Sequence, residues 1–163
     1  MAMKFDAKEI SVKKVQKDAE DLFRGGFYCS EALMCAIRDN FQLDCSDEVI
    51  AMASGMPVGI GKSGCICGAL NGGVMALGCF FGRTRPMVGD PQSDKNIAVA
   101  HELHDWFKTT TGKNATCCRI LTREFDKSKG EHKEQCIYYT GIVAAKVAEI
   151  VIREFGLKNV DEE

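Results

Sequence analysis

The chain has 163 residues and a formal net charge of -2, with 45% hydrophobic and 27% charged residues. That length supports a single domain with a real core, and the proportions exclude a wholly disordered chain or a highly charged tail protein. Lys and Arg are scattered among Asp and Glu, so no broad basic field exists for nucleic acid or anionic lipid, and neither is expected as a partner.

The first six residues lack the apolar run and small-residue cleavage site of a secretory signal, which points to a cytoplasmic protein. Asp6 with Glu9 has the spacing of a capping box, and Phe5 and Ile10 flank it as a hydrophobic staple, so a helix is expected from Ala7. Val12, Val15, Ala19, Leu22 and Phe23 continue it at three- and four-residue steps until Gly25-Gly26. Ser30 is the expected cap of a second helix carrying Leu33, Ile37 and Phe41, with Cys29 just before its first turn. Ser46 opens a short third helix that ends near Gly55 and Pro57.

Met56 to Gly64 reads as a glycine loop, and Cys65 to Phe81 is apolar on every face, as in a helix buried all round. Gly68, Gly72, Gly73 and Gly78 inside it would weaken that helix by about 4 kcal/mol relative to alanine. Close approach of another backbone, or of a bound cofactor, would compensate. Ser63 to Gly82 is twenty residues without a formal charge, long enough to span a membrane. Its six glycines and the amphipathic remainder of the chain favour a buried central helix and no membrane span.

Asp90-Pro91 supplies a cap and a first-turn proline for a helix with Ile97, Ala100, Leu103 and Phe107 on one side, ending near Gly112. Asn114 or Thr116 is expected to cap the next, which holds Cys117, Cys118, Ile120 and Leu121. After the polar stretch Asp126 to Glu134, a long last helix carries Cys136, Thr140, Val143, Val147, Ile150 and Glu154 at helical steps. These elements predict an all-α fold: one domain over residues 1–163, a bundle of six or seven helices around the buried glycine-rich helix.

Nine cysteines in a cytosolic protein do not read as a disulfide framework, and the odd count opposes complete pairing. Cys35, Cys45 and Cys79 fit ordinary core packing. Gly59-Ile60-Gly61-Lys62-Ser63-Gly64 has the glycine spacing of a dinucleotide fingerprint, but no strand pattern precedes it and no acidic residue follows at the required distance. A helix starting near Cys65 or Ile66, with Lys62 beside it, would lower the pKa of a thiol at Cys65 or Cys67. Neither Cys65-Ile66-Cys67 nor Cys117-Cys118 has the spacing of a thioredoxin-like site or a zinc knuckle. His101 and His104, three apart on one helix, read as surface residues, since no carboxylate or third histidine follows at metal spacing.

Cys67-Gly68-Ala69-Leu70-Asn71-Gly72 resembles the central motif of the redox-active family defined by a C…GCAxxG…C…C pattern. Gly26-Phe27-Tyr28-Cys29-Ser30-Glu31-Ala32 is similar to its first cysteine segment and Gly59-Ile60-Gly61 with Gly64 to its glycine loop. Cys118-Arg119-Ile120-Leu121 is similar to the third cysteine segment, and Cys136 to the fourth cysteine; the likeness runs from Phe23 to Val151. A related domain occurs in a split-Soret cytochrome with an associated iron–sulfur centre. The resemblance therefore implies that Cys29, Cys67, Cys118 and Cys136 form a cluster-binding or thiol-redox set, with Gly59, Gly61, Gly64 and Gly68 as loop and close-packing positions. Cys65 or Cys117 stands close enough in sequence to replace a neighbour as ligand.

Three functions follow as expectations. Four thiolates, 38, 51 and 18 residues apart, suit an iron–sulfur cluster or zinc held between helices, for electron transfer or redox sensing. A metal-free thiol–disulfide oxidoreductase would instead use a low-pKa Cys67 as nucleophile, with another family cysteine resolving the mixed disulfide. A structural zinc or purely helical interaction protein is the third. The cysteines are expected to converge at one end of the bundle, where a redox partner protein docks; a homo-oligomer is left open.

Overall fold

In the computed structural model, which describes residues 3–162 without the side chain of Glu162, seven α-helices carry the fold. They are α1 (Val12–Arg24), α2 (Cys29–Phe41), α3 (Glu48–Ala51), α4 (Gly68–Phe81), α5 (Pro91–Thr110), α6 (Cys118–Leu121) and α7 (Glu131–Phe155). The architecture is all-α, as the periodicity predicts; α3 and α6 are single turns. The glycine-rich α4 packs against α2, α5 and α7, and α7 also covers α1.

The chain enters differently from the capping-box expectation. Residues before Ser11 run extended: Phe5 bridges Leu43, and β1 (Glu9–Ile10) pairs in parallel with β2 (Lys158–Asn159). Ser11, not Asp6, caps α1, its Oγ accepting from the Lys14 N–H at 3.0 Å. The physical reason is aromatic burial. The extended path delivers the Phe5 ring edge-on to Phe80 (5.4 Å between centroids) and Phe155 (5.0 Å), contacts worth more than one extra helical turn.

Helix direction follows from which residues meet. The Cys29 end of α2 lies against Gly68 and Gly72 of α4, and Phe41 meets Phe80 with ring centroids 5.1 Å apart, so α2 and α4 run parallel. Phe155 stacks on Phe81 at 5.4 Å while the first turns of α7 reach Cys29 and Cys67, so α7 runs the same way. Three helix N-termini thus gather at one end of the bundle, and an aromatic cluster fills the other, about 20 Å away at 1.5 Å per residue.

The glycines of α4 make this packing. A Cβ on Gly72 would lie 2.9 Å from the Ser30 Cα, and one on Gly73 would lie 2.7 Å from a Val143 methyl and 2.8 Å from a Leu103 methyl. Close approach of a neighbouring backbone at Gly72 is one of the two compensations anticipated above. Ser30, fully buried, caps nothing; its Oγ donates to the Ala53 carbonyl at 2.9 Å and ties α2 to the turn after α3. On α5 the inward stripe is Val99, Leu103 and Phe107, while Ile97 is 64% exposed, one helical step off the expected face.

At 14 residues, α4 spans about 21 Å, short of the roughly 30 Å hydrocarbon thickness. By length and composition α7 is apolar enough to cross a membrane, but 61% of its apolar window is buried inside the protein, as befits the core helix of a bundle.

Candidate metal centre

Local structure aims each of the four family cysteines. Cys29 is the first residue of α2, whose start is secured by the Tyr28 N–H donating to Glu31 Oε2 at 2.8 Å. Cys67 is the N-cap of α4, not a residue inside it, because Ile66 before it pairs with Cys117 in an antiparallel bridge. That bridge brings Cys67 and Cys118 together: the Cys67 N–H donates to the Thr116 carbonyl at 2.8 Å, and the Cys118 N–H to the Cys65 carbonyl at 2.5 Å. Cys118 opens α6, and Cys136 lies in the second turn of α7, which starts at Glu131, earlier than its polar composition suggests.

The glycine loop takes an unusual course. Val58, Gly59, Ile60, Gly61 and Lys62 all have positive φ, between 54° and 70°, giving a left-handed turn. L-residues pay about 1–2 kcal/mol each for that conformation. Offsetting bonds run from the Gly61 N–H to the Gly55 carbonyl at 3.0 Å and from the Gly64 N–H to the Val58 carbonyl at 3.1 Å. Gly59 has no alternative, since its Cβ would lie 2.4 Å from the Cys65 nitrogen. The loop follows the single-turn α3 and not a strand, so the dinucleotide context is missing here as in the sequence. The strained turn instead aims the Val58 N–H at the Cys29 sulfur.

Cys29, Cys67, Cys118 and Cys136 line one cavity of about 230 Å³, mostly apolar, together with Val58, Gly68, Tyr28, His132 and Tyr139. Three of the thiols are buried and Cys136 is half-buried. Main-chain donors face two sulfurs: the Val58 and Ser30 amides at Cys29, and the Leu70 and Ala69 amides at Cys67. Gly68 shapes the floor, because a Cβ there would fall 2.4 Å from the Cys29 sulfur.

Burial nevertheless dominates the titration of the free thiols. It pushes Cys29 up to about 11 and Cys136 up to about 12, raises Cys118, and carries Cys67 furthest, with the neighbouring Cys29 adding to the shift. The expected low-pKa nucleophile at Cys67 is therefore corrected: desolvation outweighs the helix start, and Lys62 is exposed to solvent. Such a set holds thiolates where cations neutralise them, which makes it compatible with a metal cofactor.

The remaining candidates separate from this cavity. Cys65 is exposed and Cys117 half-buried, and neither lines it. Gly59, Gly61 and Gly64 shape the loop behind it; Gly64 packs on the Arg119 side chain, whose Nη2 donates to the Ser63 carbonyl at 2.9 Å. Cys35 contacts Asp39 and Arg38 at 3.6 Å, and the Cys79 thiol points to the Met75 carbonyl at 3.6 Å. On α5, Asp105 supplies the carboxylate that the sequence reading passed over: it pairs with His101 at 3.3 Å and His104 at 2.8 Å on the exposed face. Among the described residues that trio is the set of donor atoms within 4.8 Å of one another, so no three of the four cavity sulfurs come that close.

His132 was missed altogether. Burial, with Lys127 nearby, holds its imidazole below the ordinary histidine value, and its Nδ1 lies 4.0 Å from the Cys136 sulfur. The four-residue step from His132 to Cys136 on one helix is the signal that sequence reading had available.

The family model described as "Putative redox-active protein (C_GCAxxG_C_C)" matches residues 27–150, from the residue before Tyr28 to the last turns of α7. Neither the curated proteins nor the solved structures contain a match to the chain. With about three quarters of its length matched, the chain belongs to the redox-active C_GCAxxG_C_C family.

Proposed function

We propose that Cys29, Cys67, Cys118 and Cys136 hold a metal–sulfur centre, an iron–sulfur cluster in the first instance, used for electron transfer or redox sensing. The observation that carries this reading is the convergence of four sequence-distant cysteines on one cavity of about 230 Å³. Soft thiolates select iron–sulfur clusters or zinc. A single tetrahedral zinc, with zinc–sulfur bonds of about 2.3 Å, needs its sulfurs about 3.8 Å apart. A cavity of about 230 Å³ has room for several metal ions, and a redox role calls for a metal that changes valence, which zinc does not.

Other features of the site suit a cluster. Gly68 leaves room for the Cys29 sulfur, and the Val58, Ser30, Ala69 and Leu70 amides can donate to thiolates already bound to iron. Bound there, a cluster supplies a one-electron couple. The chain's share is to shield that couple and bias it: amide donors and the gathered helix N-termini favour the more negative, reduced state and so raise the potential. Tyr28, 52% exposed at the mouth, and half-buried Cys136 mark the side nearest solvent, where a partner protein would exchange electrons.

The test is anaerobic purification and reconstitution with iron and sulfide, followed by visible spectra and iron, sulfide and zinc analysis. Iron and acid-labile sulfide bound by the wild type, and lost in Cys→Ser variants at Cys29, Cys67 and Cys118 and in the variant lacking all four cysteines, are expected. Colourless protein without either after reconstitution would refute the cluster; one tightly held zinc would move the reading to a structural site.

A further inference from the structure

We propose that His132 is a fifth donor to the centre, sharing with Cys136 the fourth ligand position beside Cys29, Cys67 and Cys118. The inference rests on the metal-centre reading above and adds to it a nitrogen donor outside the family's cysteine pattern.

Three observations carry it. His132 and Cys136 are one helical turn apart on α7 and both line the cavity, so they enter it from the same side. The His132 Nδ1 stands 4.0 Å from the Cys136 sulfur. At that separation either atom can reach the same metal ion after a small side-chain rotation, at about 2.3 Å for sulfur or about 2.0 Å for nitrogen. Cys136 also differs from Cys29 and Cys67 in having no main-chain donor on its sulfur, and from all three others in being only half-buried. The fourth position is thus the least tightly specified of the set.

The consequence is a choice of ligand. A neutral imidazole in place of a thiolate removes one negative charge from the centre and raises its potential. The same cavity can therefore hold an all-thiolate centre or one with three thiolates and one imidazole.

The experiment compares wild type, His132→Ala, Cys136→Ala and the double variant, each purified and reconstituted anaerobically with iron and sulfide. Pulsed electron paramagnetic resonance is recorded on the reduced samples, with and without ¹⁵N-labelled histidine. Circular dichroism melts check that each variant is folded. Cys136→Ala is expected to keep iron and sulfide and to show a directly bound histidine nitrogen that changes on ¹⁵N labelling. The single His132→Ala variant is expected to keep its cluster without that coupling, and the double variant to lose it. A loaded wild type whose folded Cys136→Ala variant loses the cluster, or keeps it without nitrogen coupling, or keeps it equally well in the double variant, overturns this inference and leaves the cysteine centre standing. A wild type that takes up no iron or sulfide overturns both.

Discussion

Replacing Gly68 with alanine would place a methyl carbon 2.4 Å from the Cys29 sulfur and 3.2 Å from both the Met56 carbonyl oxygen and the Pro57 Cα. Comfortable separations begin near 3.5 Å, so the sulfur contact is short by about 1 Å and the two backbone contacts by a few tenths. The sulfur is at the end of a single side-chain rotation, whereas the backbone atoms belong to the strained loop. Cys29 therefore yields first and turns out of the cavity. Overpacking costs about 1–3 kcal/mol and the glycine-to-alanine change in a helix returns up to about 1 kcal/mol, leaving a net loss of about 1 kcal/mol. In a chain of this size that is a fall in Tm of about 2–4 °C. Loss of a well-placed ligand should be far more visible, as metal binding about ten-fold weaker or worse. Gly78→Ala is the control. It lies inside α4 with nothing within 4 Å of its added Cβ, so it should raise Tm by a similar few degrees and leave loading unchanged. The assay is iron and sulfide per chain after anaerobic reconstitution, beside thermal melts. Full loading of Gly68→Ala, or an equal loss in Gly78→Ala, refutes the reasoning.

Gly72→Ala drives a Cβ to 2.9 Å from the Ser30 Cα and 3.0 Å from its carbonyl oxygen, both immovable without parting α2 from α4; urea unfolding should show a loss of about 2 kcal/mol, and an unchanged midpoint would contradict the tight crossing. In reduced, metal-free protein, alkylation mapped by mass spectrometry should reach exposed Cys65 well before buried Cys29, Cys67 and Cys118, and a Cys67 that reacts first would restore the thiol–disulfide oxidoreductase. Glu102 accepts a fork from Arg153 at 2.9 and 2.7 Å, which with Lys146 holds its carboxyl down at about 2. Because that pKa is depressed, its stabilisation is present above the ordinary value of 4.5 and is lost as pH falls toward about 2. The wild type should exceed Glu102→Gln by about 1 kcal/mol at neutral pH, after allowing for solvent screening, and the gap should close across that window; a constant gap would remove the ion pair as its cause.

Much of the helical layout is legible in the residues because it depends on local rules. Asp90-Pro91 starts α5 where a cap and a first-turn proline should, the Asp90 carboxylate accepting from the Gln92 N–H at 3.0 Å. Val143, Val147 and Ile150 are wholly buried along α7, as their spacing requires. The local rules fail where distant groups outbid them. Asp6 and Glu9 have a capping box's spacing, yet the segment stays extended because Phe5 joins Phe80 and Phe155. Ser30 has the chemistry of a cap, yet it is taken by the Ala53 carbonyl across the helix crossing.

The four cysteines could be singled out by order and motif alone, since Cys67-Gly68-Ala69-Leu70-Asn71-Gly72 and the flanking segments are linear signals. Their environment could not. Whether a helix N-terminus lowers a thiol's pKa or burial raises it depends on how much chain covers the sulfur, and at Cys67 the tertiary packing decides for burial. The same holds for His132, which lies in a polar stretch of the sequence and which α7 brings to Cys136 and the shared cavity. Composition and periodicity, being local, determined an all-α chain with a glycine-rich central helix. Only the fold, by running α2, α4 and α7 in parallel, decided that cysteines up to 107 residues apart, from Cys29 to Cys136, would share one pocket.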